Sequence, residues 1–491
     1  MQQHRFGLAS RAWLGTLSAV ALAAALLAPH AGAQDKPAAA PAPLPAAPPP
    51  PVAPPSPFVF TLKGTVAATF FAQDKPFASG NGVSALFSPF NVTNDAWMLG
   101  ADVRHTRLTF TLRGPEVLSA IPTAVLELEL FGGNQINSVP ASTVTGTVSS
   151  SMTNMPIGTF SVPGITSSPQ GDESLLPRMR TAYIELNWNG GADILRVGQF
   201  HNLLLAMISA SSAHPGVLGY GAGQLGWRSP GITYLHKFLL NEDTAIDAGL
   251  QLNRNSWLDN APTCGPMGTP PQVNCLPYGV SLGEASMLPQ VQARLVLSGG
   301  RAESPWPYYA PNVWQVYVVG HWDLKDLSGV GNESFMARDT MTTLVLEGGF
   351  KLKLGPVLIA GNAWTGTNGG NVYANLLQMQ LPDKPDVSGF GVWGQLGFSF
   401  SRLFSLWAFA GMDQPNEQEA VAAKLSRYQN VQLGAMLAYT EGPLIITLEW
   451  FQAATTGPDL PPGTPLPEPG TPYRKITLRG NQPSVTLTYS F

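Results

Sequence analysis

From residue 58 to residue 491, apolar side chains repeatedly occupy every second position over stretches of about eight to fourteen residues, each followed by a turn signal. Phe58, Phe60 and Leu62, for example, alternate with Thr61 and Lys63. Residues two apart in a β-strand share a face, so the alternation places apolar groups on one side and polar groups on the other. The pattern therefore predicts a long series of two-faced strands.

Some of the predicted strands carry like charges on their polar face. Glu127 and Glu129 share one such face, and Lys351 and Lys353 share another. The buried face of a β-sandwich would not accept these pairs, because unpaired buried charges cost several kcal/mol or more. A water-filled lumen accepts them, so the pattern predicts a barrel with a polar interior.

The spacing of the predicted strands supports the same interpretation. They begin near Phe58, Trp97, Thr123, Arg180, Asp193, Gln224, Thr244, Pro289, Val313, Thr342, Val357, Gly389, Leu403, Val431, Leu444 and Ile476. Their connections are predicted to alternate strictly between long and short, as in outer-membrane barrels with short periplasmic turns and long extracellular loops. We therefore predict an all-β fold, a transmembrane antiparallel β-barrel of about sixteen strands spanning residues 58–491.

Composition narrows the class further. Charged residues make up 12% of the 491 residues, about half the share that is usual in soluble domains. After the N-terminus the sequence contains no run of about twenty apolar residues, which a membrane-spanning helix would need. A barrel that is apolar on its outer face alone meets both conditions.

Residues 1–33 have the pattern of a secretory signal peptide. Arg5 and Arg11 precede an Ala/Leu-rich core, and an Ala-Gly-Ala cleavage site follows. Cleavage would make the net charge of −4 more negative, so we expect no nucleic-acid partner and no polybasic membrane patch. Residues 34–57 are almost entirely Ala and Pro and predict an extended periplasmic linker. This linker is either a passive spacer or a tether that contacts the cell wall or a periplasmic partner.

The C-terminus alternates up to its last residue. From Val485 onward every second residue is apolar, and the chain ends with Tyr489 and Phe491 on the apolar face. This ending resembles the C-terminal β-signal of outer-membrane proteins. The resemblance implies that Tyr489 and Phe491 form the assembly signal read by the barrel-assembly machinery, and that the barrel lies in outer-membrane lipid.

Four segments resemble strands of the DcaP-like and phosphate-selective porin families: 105–110, 178–186, 195–200 and 226–234. The resemblance implies sixteen-stranded trimers, and hence a homotrimer here. It also implies that residues 201–223 form a constriction loop folded into the lumen. This loop contains no Asp, Glu, Lys or Arg, which argues against the phosphate selectivity of a Lys- and Arg-rich throat.

The alternation of inward and outward positions along each strand, here called strand parity, places a set of charged residues on lumen-facing positions. These pore-lining candidates are Arg107, Arg113, Glu127, Glu129, Glu185, Arg196, Asp247, Arg294, Glu347, Lys351, Lys353 and Glu449. Facing rows of opposite charge would create a transverse electric field that orders dipolar solutes. Alternatively, those of the residues that lie near the rims are fully solvated and have no effect on which solutes pass. Arg107 and Glu185 are the first candidates for the narrowest region, because they lie in porin-like strands.

Cys264 and Cys275 are the only two cysteines and lie in one Pro- and Gly-rich outer loop. In an oxidising compartment this spacing predicts a disulfide that closes the loop. The neighbouring residues offer no metal ligands, so we expect no metal site.

Motifs of common enzymes, such as G-x-S-x-G, H-E-x-x-H and the Walker A pattern, are absent. We therefore expect no enzymatic activity and no cofactor. The favoured function is a porin that allows passive diffusion of small hydrophilic solutes or ions through a water-filled lumen. Two alternatives remain, both with a closed barrel: a structural outer-membrane anchor, or a surface binding protein that uses its long loops, above all residues 132–177.

Overall fold

The computed structural model describes residues 58–75, 77, 85–88, 97–132, 144–149, 156–162, 176–212, 218–256, 282–300, 313–326, 340–379, 384–460 and 464–491. The predicted signal peptide, the Ala/Pro-rich linker, and Cys264 with Cys275 all lie outside these described residues.

Sixteen antiparallel strands form one sheet that closes on itself. They are β1 (Val59–Gln73), β2 (Met98–Asp102 and Arg107–Arg113), β3 (Ile121–Gly132), β4 (Leu176–Trp188), β5 (Asp193–His201), β6 (Arg228–Leu239), β7 (Thr244–Asn253), β8 (Gln290–Gly299), β9 (Trp314–Asp326), β10 (Thr340–Leu354), β11 (Val357–Thr367), β12 (Ser388–Ser399), β13 (Phe404–Pro415), β14 (Gln429–Glu441), β15 (Leu444–Pro458) and β16 (Lys475–Ser490). The two parts of β2 both pair with β1 and count as one strand. The predicted fold class is confirmed, and each predicted strand start lies within four residues of the observed one.

The connections alternate in length with one exception. Those at the short-turn end are 114–120, 189–192, 240–243, 300–313, 355–356, 400–403 and 442–443. Those at the long-loop end are 74–97, 133–175, 202–227, 254–289, 327–339, 368–387, 416–428 and 459–474. The predicted strict alternation is wrong at 300–313, which is longer than two of the long-end loops. Pro305, Pro307 and Pro311 fall in this connection, and proline cannot donate to a strand ladder.

Within the described residues, the helical segments are short and lie in the connections. They are α1 (Leu282–Ala285), α2 (Glu417–Ala422) and the 3₁₀ turns Asn189–Gly191, Gly369–Val372 and Asn375–Leu377. A separate two-stranded hairpin, Val144–Ser149 with Pro156–Val162, lies in the long second loop. No helix within the described ranges is long and apolar enough to cross a membrane.

The outer face of the barrel is apolar. On β1, the side chains of Phe60, Leu62, Val66 and Phe70 are 44–68% exposed. The outward positions of the other strands carry similar side chains, such as Leu344, Leu346 and Phe350 on β10. An apolar surface this extensive is not found on soluble monomers, whereas contact with lipid hydrocarbon requires it.

An aromatic row marks the short-turn end of this apolar surface. Phe398, Phe400, Phe404 and Tyr439 follow one another with ring centroids 6.4, 5.9 and 5.2 Å apart. Aromatic rings of this kind are typical of the interface between hydrocarbon and headgroups. The row therefore defines one boundary of the lipid-facing band.

The seam of the barrel lies between β1 and β16. Phe491 exchanges two backbone hydrogen bonds of 2.9 Å with Gly64. Its ring covers Gly64 so closely that an added Cβ there would lie 2.2 Å from the ring. Glycine at position 64 is therefore needed to seat the terminal aromatic ring, while Tyr489 pairs with Val66 on the same outer face.

Candidate pore constriction

The constriction loop was predicted over residues 201–223; the connection that contains it runs from 202 to 227, and the name is used below for this whole connection. Its described residues, 202–212 and 218–227, contact inward-facing side chains of distant strands. Near its start, Gln251 of β7 accepts a hydrogen bond of 2.7 Å from the backbone N–H of Leu203. Gln292 of β8 similarly accepts one of 3.3 Å from the N–H of Leu204. These glutamines satisfy backbone groups that are buried as the loop leaves the wall, where unpaired donors would be costly.

Further along the loop, Gln395 of β12 holds three consecutive loop residues by hydrogen bonds. Its Oε1 accepts hydrogen bonds from the backbone N–H of Ala210 at 2.8 Å and from the hydroxyls of Ser209 and Ser211 at 3.0 Å each. Gln432 of β14 accepts from the N–H of a later loop residue, Gly219, at 2.8 Å. Neutral amides of β7, β8, β12 and β14 thus hold the loop against the inner face of the barrel.

Apolar packing covers the rest of the contact. Leu203, Leu204, Met207, Leu218 and Leu225 of the loop are buried in one cluster with side chains of the wall. The wall contributes Val296, Tyr317, Val319, Val345, Ala360, Trp364, Trp393, Phe409, Phe451 and Ala453. Burial of each leucine contributes about 1.5–3 kcal/mol. One half of the inner face, from β8 to β15, is therefore covered.

Two glycines allow the loop backbone to touch the wall. An added Cβ at Gly223, whose φ is +98°, would lie 2.4 Å from the backbone of Val392. One at Gly411 of β13 would lie 2.2 Å from the carbonyl oxygen of Ala222. Side chains at either position would push the loop away from β12 and β13.

Two other loops meet the constriction loop. In the first loop, residues 74–97, Ser88 donates to the carbonyl oxygen of Ala453 on β15 at 3.0 Å, and the ring of Phe87 would lie 2.5 Å from a Cβ added at Gly221 of the constriction loop. In the sixth loop, residues 368–387, the carbonyl oxygen of Val372 accepts a hydrogen bond of 2.9 Å from the backbone N–H of Gly226. The ring of Tyr373 in the same loop lies 5.3 Å from that of Trp227. An apolar cluster of Leu86, Phe87, Tyr220 and Leu376 is buried where the three loops meet.

The opposite wall, β2 to β6, carries a cluster of charges that we name the arginine cluster: Arg107, Glu127, Glu129, Arg178, Arg180 and Arg228. Glu127 pairs with Arg107 at 3.3 Å and with Arg180 at 2.8 Å. Four guanidinium groups face two carboxylates here. The structure thus brings three of the predicted lumen residues together and adds three arginines that parity did not predict.

A β-bulge explains why Arg180 was missed. In the β3–β4 pair, Glu127 lies opposite Thr181 but Leu128 lies opposite Met179. Arg180 is therefore the extra residue, and its side chain reaches Glu127 on the lumen side. Bulges re-aim a side chain in this way, so strict alternation would have placed Arg180 outside. The sequence feature that could have indicated these lumen positions is the close spacing of the arginines at 178 and 180.

A second charged pair lies nearby on β4 and β5. Arg196 forms an ion pair of 2.6 Å with Glu185, and its guanidinium lies 4.7 Å from the ring centre of Tyr183 and 5.5 Å from that of Phe200. Cation–π contacts on this scale contribute about 0.5–2 kcal/mol. Arg196 is therefore held in place by one carboxylate and two rings.

The remaining candidates lie in three kinds of environment. Asp247 pairs with Lys237 at 3.6 Å and both side chains are partly exposed, while Arg113 is exposed at the short-turn end of β2. Arg294 and Lys353 are half-buried, and Lys351 is buried. These residues do not join the arginine cluster.

Two of the predicted lumen carboxylates, Glu347 and Glu449, are buried beneath the inward-folded loops. Glu347 is fully buried and accepts hydrogen bonds from Tyr317 at 2.6 Å and Asn362 at 2.8 Å. Glu449 is buried and accepts one of 2.6 Å from Ser212 of the constriction loop. Among the described residues, no group of three or more His, Cys, Asp or Glu could hold a metal ion.

Comparisons with known proteins give the fold a precedent. No family model matches this chain, and no curated protein matches it in sequence. The solved structure of the outer membrane channel DcaP of Acinetobacter baumannii is similar with a TM-score of 0.54 at 13% identity, covering 88% of this chain and 97% of that one. The suspected likeness to DcaP-like porins is therefore confirmed for the fold.

Two further solved structures match with lower scores. An anion-selective porin from Comamonas acidovorans has a TM-score of 0.47 at 11% identity and covers 88% of this chain and 100% of that one. OmpT, an outer membrane protein of Vibrio cholerae, has a TM-score of 0.46 at 9% identity and covers 89% and 100%.

Proposed function

We propose that this chain forms an outer-membrane porin through which small hydrophilic solutes and ions diffuse passively. The observation that carries the proposal is the division of the inner face. One half lies beneath the inward-folded loops, whereas the other half carries charged side chains, several of which keep contact with water. Arg178, Arg196 and Asp247 are 36%, 26% and 31% exposed.

A packed, dry lumen would not leave these side chains exposed, and burying so many charges would carry a large desolvation cost. A water-filled path between the constriction loop and the β2–β6 wall accounts for both the exposure and the charge. Solutes on this path pass the arginine cluster on one side and a loop without charged residues on the other.

This arrangement supports a modest anion preference. The four guanidinium groups of the arginine cluster outnumber its two carboxylates, and fixed charges of one sign raise the local concentration of the opposite ion. Because the carboxylates offset part of this field and the loop is neutral, the preference is weaker than in a throat lined by cations alone.

The proposal includes location and assembly. The short turns would face the periplasm and the long loops the cell exterior. We expect export by a cleaved signal peptide, insertion by the barrel-assembly machinery through Tyr489 and Phe491, and assembly into a homotrimer. Their support is the sequence pattern at each end and the porin-like fold.

Liposome swelling tests the proposal. Proteoliposomes with the refolded barrel are diluted into isotonic solutions of neutral sugars of increasing size, and turbidity reports solute entry. A diffusion channel gives rates that fall steeply with solute size. Rates equal to those of protein-free liposomes, with heat-modifiable barrels present, would refute it.

A second candidate is a barrel that is closed at rest and serves as an anchor. It is favoured by the buried apolar cluster of Phe87, Tyr220 and Leu376, where three loops meet inside the barrel. This candidate predicts no swelling in any solute until one of these loops is shortened.

A further inference from the structure

Glu129 is surrounded by arginines in a way that no other described carboxylate is. Its Oε1 accepts hydrogen bonds from Arg178, with the Nε at 3.1 Å, and from Nη1 of Arg228 at 3.2 Å. Its Oε2 lies 3.2 Å from Nη1 of Arg180 and 3.7 Å from Nη2 of Arg107. Both carboxylate oxygens are therefore shared among four guanidinium groups.

The four arginines come from three different strands, and at least three of them make a further contact besides that with Glu129. Arg107 and Arg180 also pair with Glu127, and the guanidinium of Arg228 lies 4.2 Å from the ring centre of Trp227. The arginines are therefore pre-organised around the position of the Glu129 carboxylate. Planar guanidinium groups bind planar oxyanions with paired hydrogen bonds, so this position is a built anion site.

We propose that the Glu129 carboxylate is an internal occupant of a four-arginine anion site, and that passing carboxylates and similar oxyanions must compete with it. This inference rests on the proposed channel function and specifies which residue controls anion affinity. Conduction requires binding that is strong enough to draw an ion in and weak enough to release it. A tethered carboxylate has a high effective concentration at the site, so it keeps external anions weakly bound.

Glu185 provides a matched comparison on the same wall. It is 19% exposed whereas Glu129 is 7% exposed, and among the described residues only Arg196 forms an ion pair with it. Removing Glu185 would leave one guanidinium without its carboxylate, whereas removing Glu129 would leave four around an empty space. The two alanine variants therefore separate loss of a lumen carboxylate from opening of the anion site.

The test compares wild type, E129A and E185A in planar bilayers as potassium formate replaces potassium chloride at constant ionic strength. Formate has the planar carboxylate of Glu129 without its tether. In E129A we expect the single-channel current to fall with formate concentration and then level off. The half-saturating formate concentration should be at least about tenfold lower than in wild type or E185A, which corresponds to about 1.4 kcal/mol of added binding free energy. E129Q, whose amide fills the space, shifts the reversal potential toward the anion without this saturation.

A second readout does not depend on conduction. Formate that binds the folded E129A barrel raises the temperature at which it unfolds on a heat-modifiability gel, and E185A shows no such rise. Equal formate responses in E129A and wild type, or in E129A and E185A, would overturn the inference. If wild type passes no current, the channel proposal fails, while the thermal comparison still decides whether the anion site exists.

Discussion

Replacing Gln395 by alanine should release the constriction loop from the wall. The Gln395 Oε1 accepts three hydrogen bonds from the loop, at 2.8 Å from the N–H of Ala210 and at 3.0 Å from the hydroxyls of Ser209 and Ser211. In Q395A the buried N–H of Ala210 loses its acceptor, and such an orphaned group costs about 1–3 kcal/mol. The serine hydroxyls can turn toward other acceptors and add little.

A loss of about 2 kcal/mol changes the ratio of docked to undocked loop by about thirtyfold. We expect Q395A channels to show larger and noisier single-channel currents, and the loop to become more sensitive to protease. Q452A is the matched control, because the Gln452 side chain donates its hydrogen bond of 2.9 Å to Asn481 of β16. Currents of Q395A that match both wild type and Q452A would refute the idea that the Gln395 amide positions the loop.

Three further perturbations test other parts of the structure. G223A should lower the protease resistance of the constriction loop, because Gly223 has a φ of +98° and its added Cβ would lie 2.4 Å from the β12 backbone. G355A is the control and should have a far smaller effect, because Gly355 lies in a turn with open space around it. F491A should cut the yield of heat-modifiable barrel on refolding, because the ring and backbone of Phe491 complete the seam with β1; an unchanged yield would contradict this. Burial tends to raise the pKa of Glu417, but hydrogen bonds from Lys475 at 2.9 Å and from Tyr473 at 2.7 Å, together with the charge of Lys475, outweigh this and lower that pKa. The contact between α2 and β16 should therefore hold above the ordinary carboxyl range and weaken as the pH falls through the lowered pKa. Protease cleavage of residues 459–474 measures this loss, and E417Q should show no such pH dependence.

The sequence predicted the strands well because lipid on one side and water on the other impose a strict alternation. Phe60, Leu62 and Val66 are outward, as expected from a period of two. The connection at 300–313 broke the predicted alternation of lengths because its prolines cannot extend a ladder.

The constriction was harder to predict, because it depends on contacts between residues far apart in sequence. The bulge at Arg180 breaks the parity on which lumen positions were assigned. Alternation from Ile232, an exposed outer residue, would likewise turn Arg228 outward, yet its guanidinium reaches Glu129. Parity also could not show that Glu347 is buried, since burial depends on where three loops fold.

The most direct test of the proposed channel is single-channel recording of the refolded protein in a planar lipid bilayer, first in symmetric potassium chloride and then across a salt gradient. The structure predicts stepwise openings and a reversal potential shifted modestly toward that of chloride, because four guanidinium groups face two carboxylates beside a neutral loop. Correctly folded, inserted barrels that pass no current would contradict the proposed channel, and a reversal potential at that of potassium would contradict the assigned role of the arginine cluster.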